Sequence, residues 1–197
     1  MSYANKIGIY QGDCKVLLGK YENFSDYVRE FSETITGFGL DLGAGPNSPN
    51  GKYFPHCILD GCDLEKEVVE SIGDNYKNKF QYCLGSEEKL PYEDNTLDFL
   101  ICSCVIQHLS SFQKLQIAFQ EIHRVLKPQG KFYLMFKAGT NDTLLTHHNS
   151  YYNEERTFRV FDPINVLNLS KDFFLLSSET LLEDNWIPYS CCIFEKF

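Results

Sequence analysis

The sequence predicts one α/β domain built on a doubly wound, mostly parallel sheet, and three observations carry that reading. Short apolar runs alternate with segments of helical periodicity, the signature of β-α-β units. One run, Leu97 to Val105, is apolar on both faces, as a strand covered on both sides must be. The first main strand ends in Gly43-Ala44-Gly45, a turn that belongs at the carboxyl edge of such a sheet. The chain has 197 residues, 43% of them apolar, with 16 Phe, 12 Tyr and 1 Trp. That is enough to bury a core without disulfide or metal staples.

Taken in order, Asn23 to Thr36 reads as an amphipathic helix with Phe24, Tyr27, Val28, Phe31 and Ile35 on one face and Ser25 as its N-cap. Gly37 stops it, and Phe38 to Leu42 is the first strand. His56 to Cys62 is the second, followed by a helix from Leu64 to Ile72, then strands at Lys79 to Leu84 and Leu97 to Val105. The longest helix, Phe112 to Leu126, carries Leu115, Ala118, Phe119, Ile122, Val125 and Leu126 as its stripe and ends before Lys127-Pro128. A fifth strand, Lys131 to Phe136, precedes a polar stretch, Thr140 to Glu155, without periodicity, which reads as a loop. A short helix, Pro163 to Leu169, and strands at Phe173 to Thr180 and Pro188 to Phe194 complete seven strands. No repeat, low-complexity tract or linker divides the chain. Within one domain, 1–36 is an N-terminal helical segment, 37–137 the core, and 138–197 a loop with the last strands.

The net charge is −9, with no stretch that concentrates Lys and Arg. A nucleic-acid surface needs cations to replace released counterions, so no nucleic-acid partner is expected. The first ten residues hold no signal-peptide core, and no window reaches the roughly 20 apolar residues of a membrane helix. The eight cysteines form no CxxC pair, so no metal is expected. They read as reduced, mostly buried thiols of a cytoplasmic protein.

The chemistry starts at Asp41-Leu42-Gly43-Ala44-Gly45. A Gly-x-Gly turn lets the backbone approach a ligand closely, because glycine has no Cβ to collide. Asp63 follows Gly43 by 20 residues, closing the second strand where an acidic side chain accepts bonds from ribose hydroxyls. It also suits the start of the following helix as an N-cap, and the two roles are compatible.

Two further stretches narrow the reading: Glu88-Lys89-Leu90-Pro91-Tyr92-Glu93-Asp94, continuing to Asp98, and Glu121-Ile122-His123-Arg124-Val125-Leu126-Lys127-Pro128-Gln129-Gly130. With the glycine turn and Asp63, they make the chain resemble the small-molecule class I S-adenosylmethionine-dependent methyltransferases, strongly from Gly37 to Lys137 and weakly beyond. The resemblance implies a Rossmann-like, seven-stranded sheet with an antiparallel last strand. It implies S-adenosylmethionine as cofactor and S-adenosylhomocysteine as product, without a metal. Gly43, Ala44 and Gly45 would pass the methionine moiety, with Asp41 near its amino group. Asp63 would hold the ribose, Leu64 would pack on the adenine, and Ser86 or Glu87 would face the adenine edge. Ser103 and Cys104 would line the pocket near the methyl donor, and residues Ser2 to Phe31 would fold over the cofactor as a lid.

Three positions depart from the family pattern. Asn47 stands where a third glycine is usual, and Pro49, Gly51 and Pro55 interrupt the helix expected after the turn. Ser86 occupies a position where aspartate is common, and Gln129 replaces the first glycine of a Pro-Gly-Gly turn.

Methyl transfer from a sulfonium is an in-line displacement, so alignment and exclusion of water matter more than a base. Candidate bases are His108, His147, His148, Tyr151 and Tyr152. His123 reads as helix packing. Arg156 or Arg159 suits a carboxylate or phosphate on the acceptor, or else a surface ion pair beside Glu154 and Glu155. Tyr151, Tyr152, Phe158 and Phe161 suit an acceptor wall or a cover for the sheet edge. The expected protein is a monomeric or homodimeric methyltransferase of a small-molecule acceptor. Its rival is a non-catalytic cofactor-binding or scaffold protein. A nicotinamide dehydrogenase is disfavoured, because the third glycine of its loop would fall at Ser48.

Overall fold

The computed structural model describes residues 16–18, 20–21, 23–46, 48–140, 142–149, 154–183 and 187–197. Its strands are β1 (Val16–Leu18), β2 (Gly37–Leu42), β3 (Cys57–Asp63), β4 (Lys79–Gln81), β5 (Leu97–Ser103), β6 (Leu126–Lys137), β7 (Leu144–Asn149), β8 (Glu154–Arg159), β9 (Phe173–Glu183) and β10 (Tyr189–Lys196). Eight of them form one sheet in the order β1-β9-β10-β6-β5-β2-β3-β4. The pairs among β2 to β6 are all parallel, and β10 is antiparallel to both β6 and β9. The seven expected strands are present, with the last one antiparallel as the resemblance implied. The eighth, β1, adds three residues antiparallel to the end of β9 and is too short to register as a periodic run.

Alternation along β5 divides the core into two layers. Leu97, Leu100 and Cys102 join a cluster with the long helix α3 (Phe112–Val125) and with Val166 of α4 (Pro163–Leu169). On the opposite face, Phe99 and Ile101 join Phe24, Tyr27, Val28 and Phe31 of α1 (Phe24–Glu33). Phe31, Phe54, Phe99 and Tyr133 stack there as an aromatic column, Phe54 lying 5.5 Å from Phe99 in parallel. The described part of the expected N-terminal lid is therefore the edge strand β1 and a core helix. Phe24 packs on Tyr189, which pairs with Lys137 at the carboxyl end of β6, so the chain enters α1 at that end of the sheet. Asn23, not Ser25, occupies the N-cap position, because the extended backbone ends there.

Two expectations are corrected. The segment read as a loop from Thr140 to Glu155 contains β7 and joins β8 in an antiparallel ribbon, Leu144 opposite Arg159 and Thr146 opposite Thr157. Leu144 and Leu145 are both exposed, so β7 lacks the one-sided burial that makes a strand legible in sequence. The connection after the glycine turn, by contrast, is short as its prolines and glycine implied, with only a 3-10 turn, η1 (Gly51–Tyr53). The second helix, α2 (Lys66–Ser71), begins later than Leu64, because Asp63 and Leu64 complete the strand-end turn first.

The family-like stretches lock together across the sheet. Glu121 accepts from the Leu90 amide at 2.6 Å, and Arg124 donates to the Leu90 and Tyr92 carbonyls, to Glu121 and to Asp94. Asp98 accepts from Lys127 at 2.7 Å and from the Phe38 amide at 2.8 Å. Gln129 adopts φ +66°, which explains why glycine suits that turn. These stretches are scaffold: they seat α3 on the sheet and fix the segment that leads into the amino end of β5.

Candidate active site

The chain leaves β2 toward β3 and β4 on one side, and after β5 builds outward through β6 on the other. The crevice between the ends of β2 and β5 is thus the topological switch point, where ligands of open α/β sheets lie. The glycine turn sits there. Gly43 has φ +76° and Gly45 φ +71°, and the amides of Gly43 and Ala44 both donate to the Cys62 carbonyl at 2.9 Å. A Cβ at Gly43 would lie 2.4 Å from Val105 Cγ2, so glycine there admits the chain that follows β5. A Cβ at Gly45 would meet nothing within 4 Å. The turn presents an open face.

Asp63 ends β3 beside this face. Its Oδ2 accepts from the Gly45 amide at 3.1 Å, and its Oδ1 from the Leu64 amide at 2.8 Å and the Glu65 amide at 3.4 Å. Burial pushes the Asp63 carboxyl above its usual range, while the three amides pull it back. Glu65, not Asp63, is the N-cap residue of α2, so Asp63 braces the strand-end turn instead of capping the helix. Leu64 is 57% exposed directly beside it, an apolar surface without a protein cover. Beyond β4, Gly85 turns with φ +74°, and the Ser86 hydroxyl is buried without a hydrogen-bond partner among the described residues, while Glu87 is exposed. Ser103 ends β5 and is buried, and Cys104 follows in a left-handed conformation with its amide on the Met135 carbonyl.

Asp41 is fully buried under the turn. Its carboxylate accepts from Tyr76 at 2.6 Å and from the Asn50 amide nitrogen at 3.2 and 3.3 Å. Desolvation pushes it up to about 6, although both donors favour the ionised form. It is enclosed by these two side chains instead of standing open toward a ligand's amino group. Neither Tyr76 nor Asn50 stands out in the sequence; the only signal is a pair of glycines, Gly51 and Gly61, that make room for the Tyr76 ring.

The candidate acceptor residues separate. His108 is exposed in a 3-10 turn, η2 (Ile106–His108), just past β5. His147 and His148 lie on β7, opposite Arg156 and Glu155 of β8. Tyr151 and Tyr152 lie outside the described residues. Arg159 does not stand open as a clamp: it donates to the Asp142 carbonyl at 2.7 Å and the Ser110 carbonyl at 2.9 Å, tying the ribbon to the segment after η2. Phe161 is in the core, and Phe158 covers Lys137, whose ammonium lies 4.8 Å from that ring and 4.3 Å from the Tyr189 ring. Among the described residues no group of His, Cys, Asp and Glu could hold a metal, and no helix is long and apolar enough to cross a membrane.

Residues 40–134, which contain every strand-end turn just described, match a family model described as a methyltransferase domain. The chain has the class I S-adenosylmethionine-dependent methyltransferase fold. An uncharacterized methyltransferase of Bacillus subtilis (strain 168), YcgJ, is 31% identical over 134 residues, 64% of this chain and 49% of the relative. The mitochondrial 2-methoxy-6-polyprenyl-1,4-benzoquinol methylase of Bos taurus is 31% identical over 97 residues, 47% of this chain and 28% of that protein. A tRNA (carboxymethyluridine(34)-5-O)-methyltransferase of Arabidopsis thaliana is 32% identical over 106 residues, 52% of this chain and 25% of that protein. The chain thus spans half or less of these relatives' lengths. Among solved structures, the glycopeptide N-methyltransferase MtfA aligns with TM-score 0.65 at 14% identity, covering 92% of both chains. The cyclase SpnF aligns with TM-score 0.69 at 15% identity, over 97% of this chain and 88% of its own.

The methyltransferase fold's cofactor fits the residues present. The open face at Gly45 would be filled by any side chain, the Ser86 hydroxyl lacks a protein partner, and Leu64 offers an uncovered apolar surface next to a carboxylate. Sugar, base and backbone-lined tail each have a matching group.

Proposed function

We propose that this chain is an enzyme that transfers a methyl group from S-adenosylmethionine to a small-molecule acceptor. The observation that carries the proposal is the open Gly43–Gly45 turn braced by the Asp63 carboxylate at the switch point. When bound, S-adenosylmethionine supplies a methyl group already activated on a sulfonium. Gly43, Ala44 and Gly45 pass its amino-acid tail, Asp63 accepts from the ribose, Leu64 and Ser86 meet the adenine with Glu87 at its edge, and Ser103 and Cys104 face the donor end. The rigid turn pre-pays the ordering of the tail, so binding energy goes to alignment instead of loop closure.

The acceptor lies beyond the ends of β5 and β6, toward the β7–β8 ribbon. His108, His147, His148 and Tyr152 are the candidates to take a proton there, and Tyr151 and Arg156 to touch the acceptor. The relatives' names divide between quinol and tRNA methylation. A net charge of −9 favours the small molecule, because RNA would meet a field of its own sign. The seven described cysteines are free thiols, which supports a reducing, cytoplasmic setting.

Calorimetric titration with S-adenosylmethionine, S-adenosylhomocysteine and NAD tests the reading. Saturable binding of the first two near one per chain, without NAD, is expected; no binding of either sinks it. The second reading, cofactor binding without methyl transfer, is favoured by the likeness to a protein named as a cyclase, since the fold does not dictate the reaction. Binding with no turnover of quinol, phenol or carboxylate acceptors is what that reading expects.

A further inference from the structure

The connection between β2 and β3 lacks the helix that would normally stiffen it, yet its two legs are tightly held. Asn50 on the far leg donates to both carboxylate oxygens of Asp41 on the near leg, closing the turn at its base. Tyr76, arriving from the loop after α2, donates to the same carboxylate from a buried position. Its ring is wedged between the far leg and strand β3: a Cβ at Gly51 would lie 2.5 Å from it and a Cβ at Gly61 2.7 Å. From the same loop the Gly73 amide donates to the Ser48 hydroxyl at 3.3 Å. We infer that Tyr76 is a positioning residue for the cofactor turn, acting through the Asp41 carboxylate in place of the missing helix.

The inference rests on the cofactor reading and adds to it a residue that does not touch the cofactor. An ionised carboxylate can accept from Asn50 and Tyr76 together. Protonation removes the charge that strengthens both bonds, and the weaker neutral bonds that remain hold the turn less firmly. The other titratable groups facing Asp41 are the Asp63 carboxylate and the Cys62 and Cys102 thiols on the neighbouring strands. None of these is cationic, so the two hydrogen-bond donors are what hold the charge. Ligand affinity therefore falls as pH drops through the Asp41 transition.

Tyr76→Phe keeps the ring and its packing and removes only the hydroxyl. S-adenosylhomocysteine binding is titrated calorimetrically from pH 5 to 8.5 for the wild type and this variant. Expected for Tyr76→Phe is a midpoint of the affinity–pH curve moved up by about one unit, so that binding is about twofold weaker at pH 7 and about tenfold weaker near pH 5. In an Asp41→Asn background the curve should lose this transition, and Tyr76→Phe should then shift no midpoint. A uniform loss at every pH, or affinities equal to wild type throughout, overturns the inference while leaving the cofactor reading intact. Failure of the wild type itself to bind overturns both. If Tyr76→Phe does not fold, Asn50→Ala removes the other donor and must shift the midpoint in the same direction.

Discussion

A methyl group added at Gly45 separates the ligand's space from the protein's own packing. Both Gly43 and Gly45 lie in the left-handed region, so alanine at either costs about 1–2 kcal/mol of backbone strain. For a domain of this size that corresponds to a fall in Tm of roughly 2–8 °C. At Gly43 the new Cβ also meets Val105 at 2.4 Å, and displacing that side chain adds about 1–3 kcal/mol. At Gly45 the Cβ meets no protein atom within 4 Å, so the strain is the whole stability cost. The open face is instead where the cofactor's tail must run. Overpacking by one methyl there costs about 1–3 kcal/mol of binding, roughly 5- to 150-fold in Kd. Gly45→Ala should therefore be the more stable of the two variants and yet a poor binder, measured by thermal melts beside calorimetric titration of S-adenosylhomocysteine. Gly45→Ala binding as tightly as wild type would refute the assignment of that open face to the cofactor.

Three other outcomes follow from the same geometry. Asp63→Asn keeps the shape but replaces an acceptor oxygen with a donor facing the Gly45 or Leu64 amide; S-adenosylhomocysteine affinity should drop by about 1–3 kcal/mol, and an unchanged value removes Asp63 from the site. Arg124→Gln strips the partly buried Glu121 and two backbone carbonyls of their donor, a loss of roughly 3 kcal/mol in urea melts with little change in cofactor affinity; a loss under about 1 kcal/mol would contradict the scaffold role. Asp41 has its carboxyl raised to about 6 from 3.8, so the native state binds that proton more tightly than the unfolded chain. Its contribution to stability therefore grows as pH falls from 6 toward 4, by about 3 kcal/mol, and Asp41→Asn should remove that slope from a pH series of urea melts. Protonation thus favours the fold while loosening the cofactor turn, two opposite signs from one buried carboxylate.

How much of this was legible before the structure depends on what kind of signal each feature leaves. The seven strands and the long helix are written in apolar periodicity, which burial on a sheet or a helix face enforces residue by residue. The glycine turn and Asp63 are legible because a left-handed strand-end turn and the carboxylate that accepts from its amide admit few residue types at a fixed spacing. The Glu121 and Arg124 stretch was visible as a pattern, but that it clamps Leu90 and Tyr92 was not, since the partners lie some thirty residues away. β7 escaped because its successive residues Leu144, Leu145 and Thr146 are all exposed and leave no alternation. Arg159 read as an acceptor clamp or a surface ion pair, and its actual partners, the carbonyls of Ser110 and Asp142, are backbone atoms that no side-chain pattern encodes.

The sequence by itself determined the sheet, its succession of strands and helices, and the glycine turn at its carboxyl edge, because these follow from local burial patterns and from residues with few conformational substitutes. The tertiary structure alone decided what stiffens that turn. Tyr76 and Asn50 reach Asp41 from separate segments, and the hydrogen bonds of a buried carboxylate depend on which donors the fold delivers to it, whatever their distance along the chain.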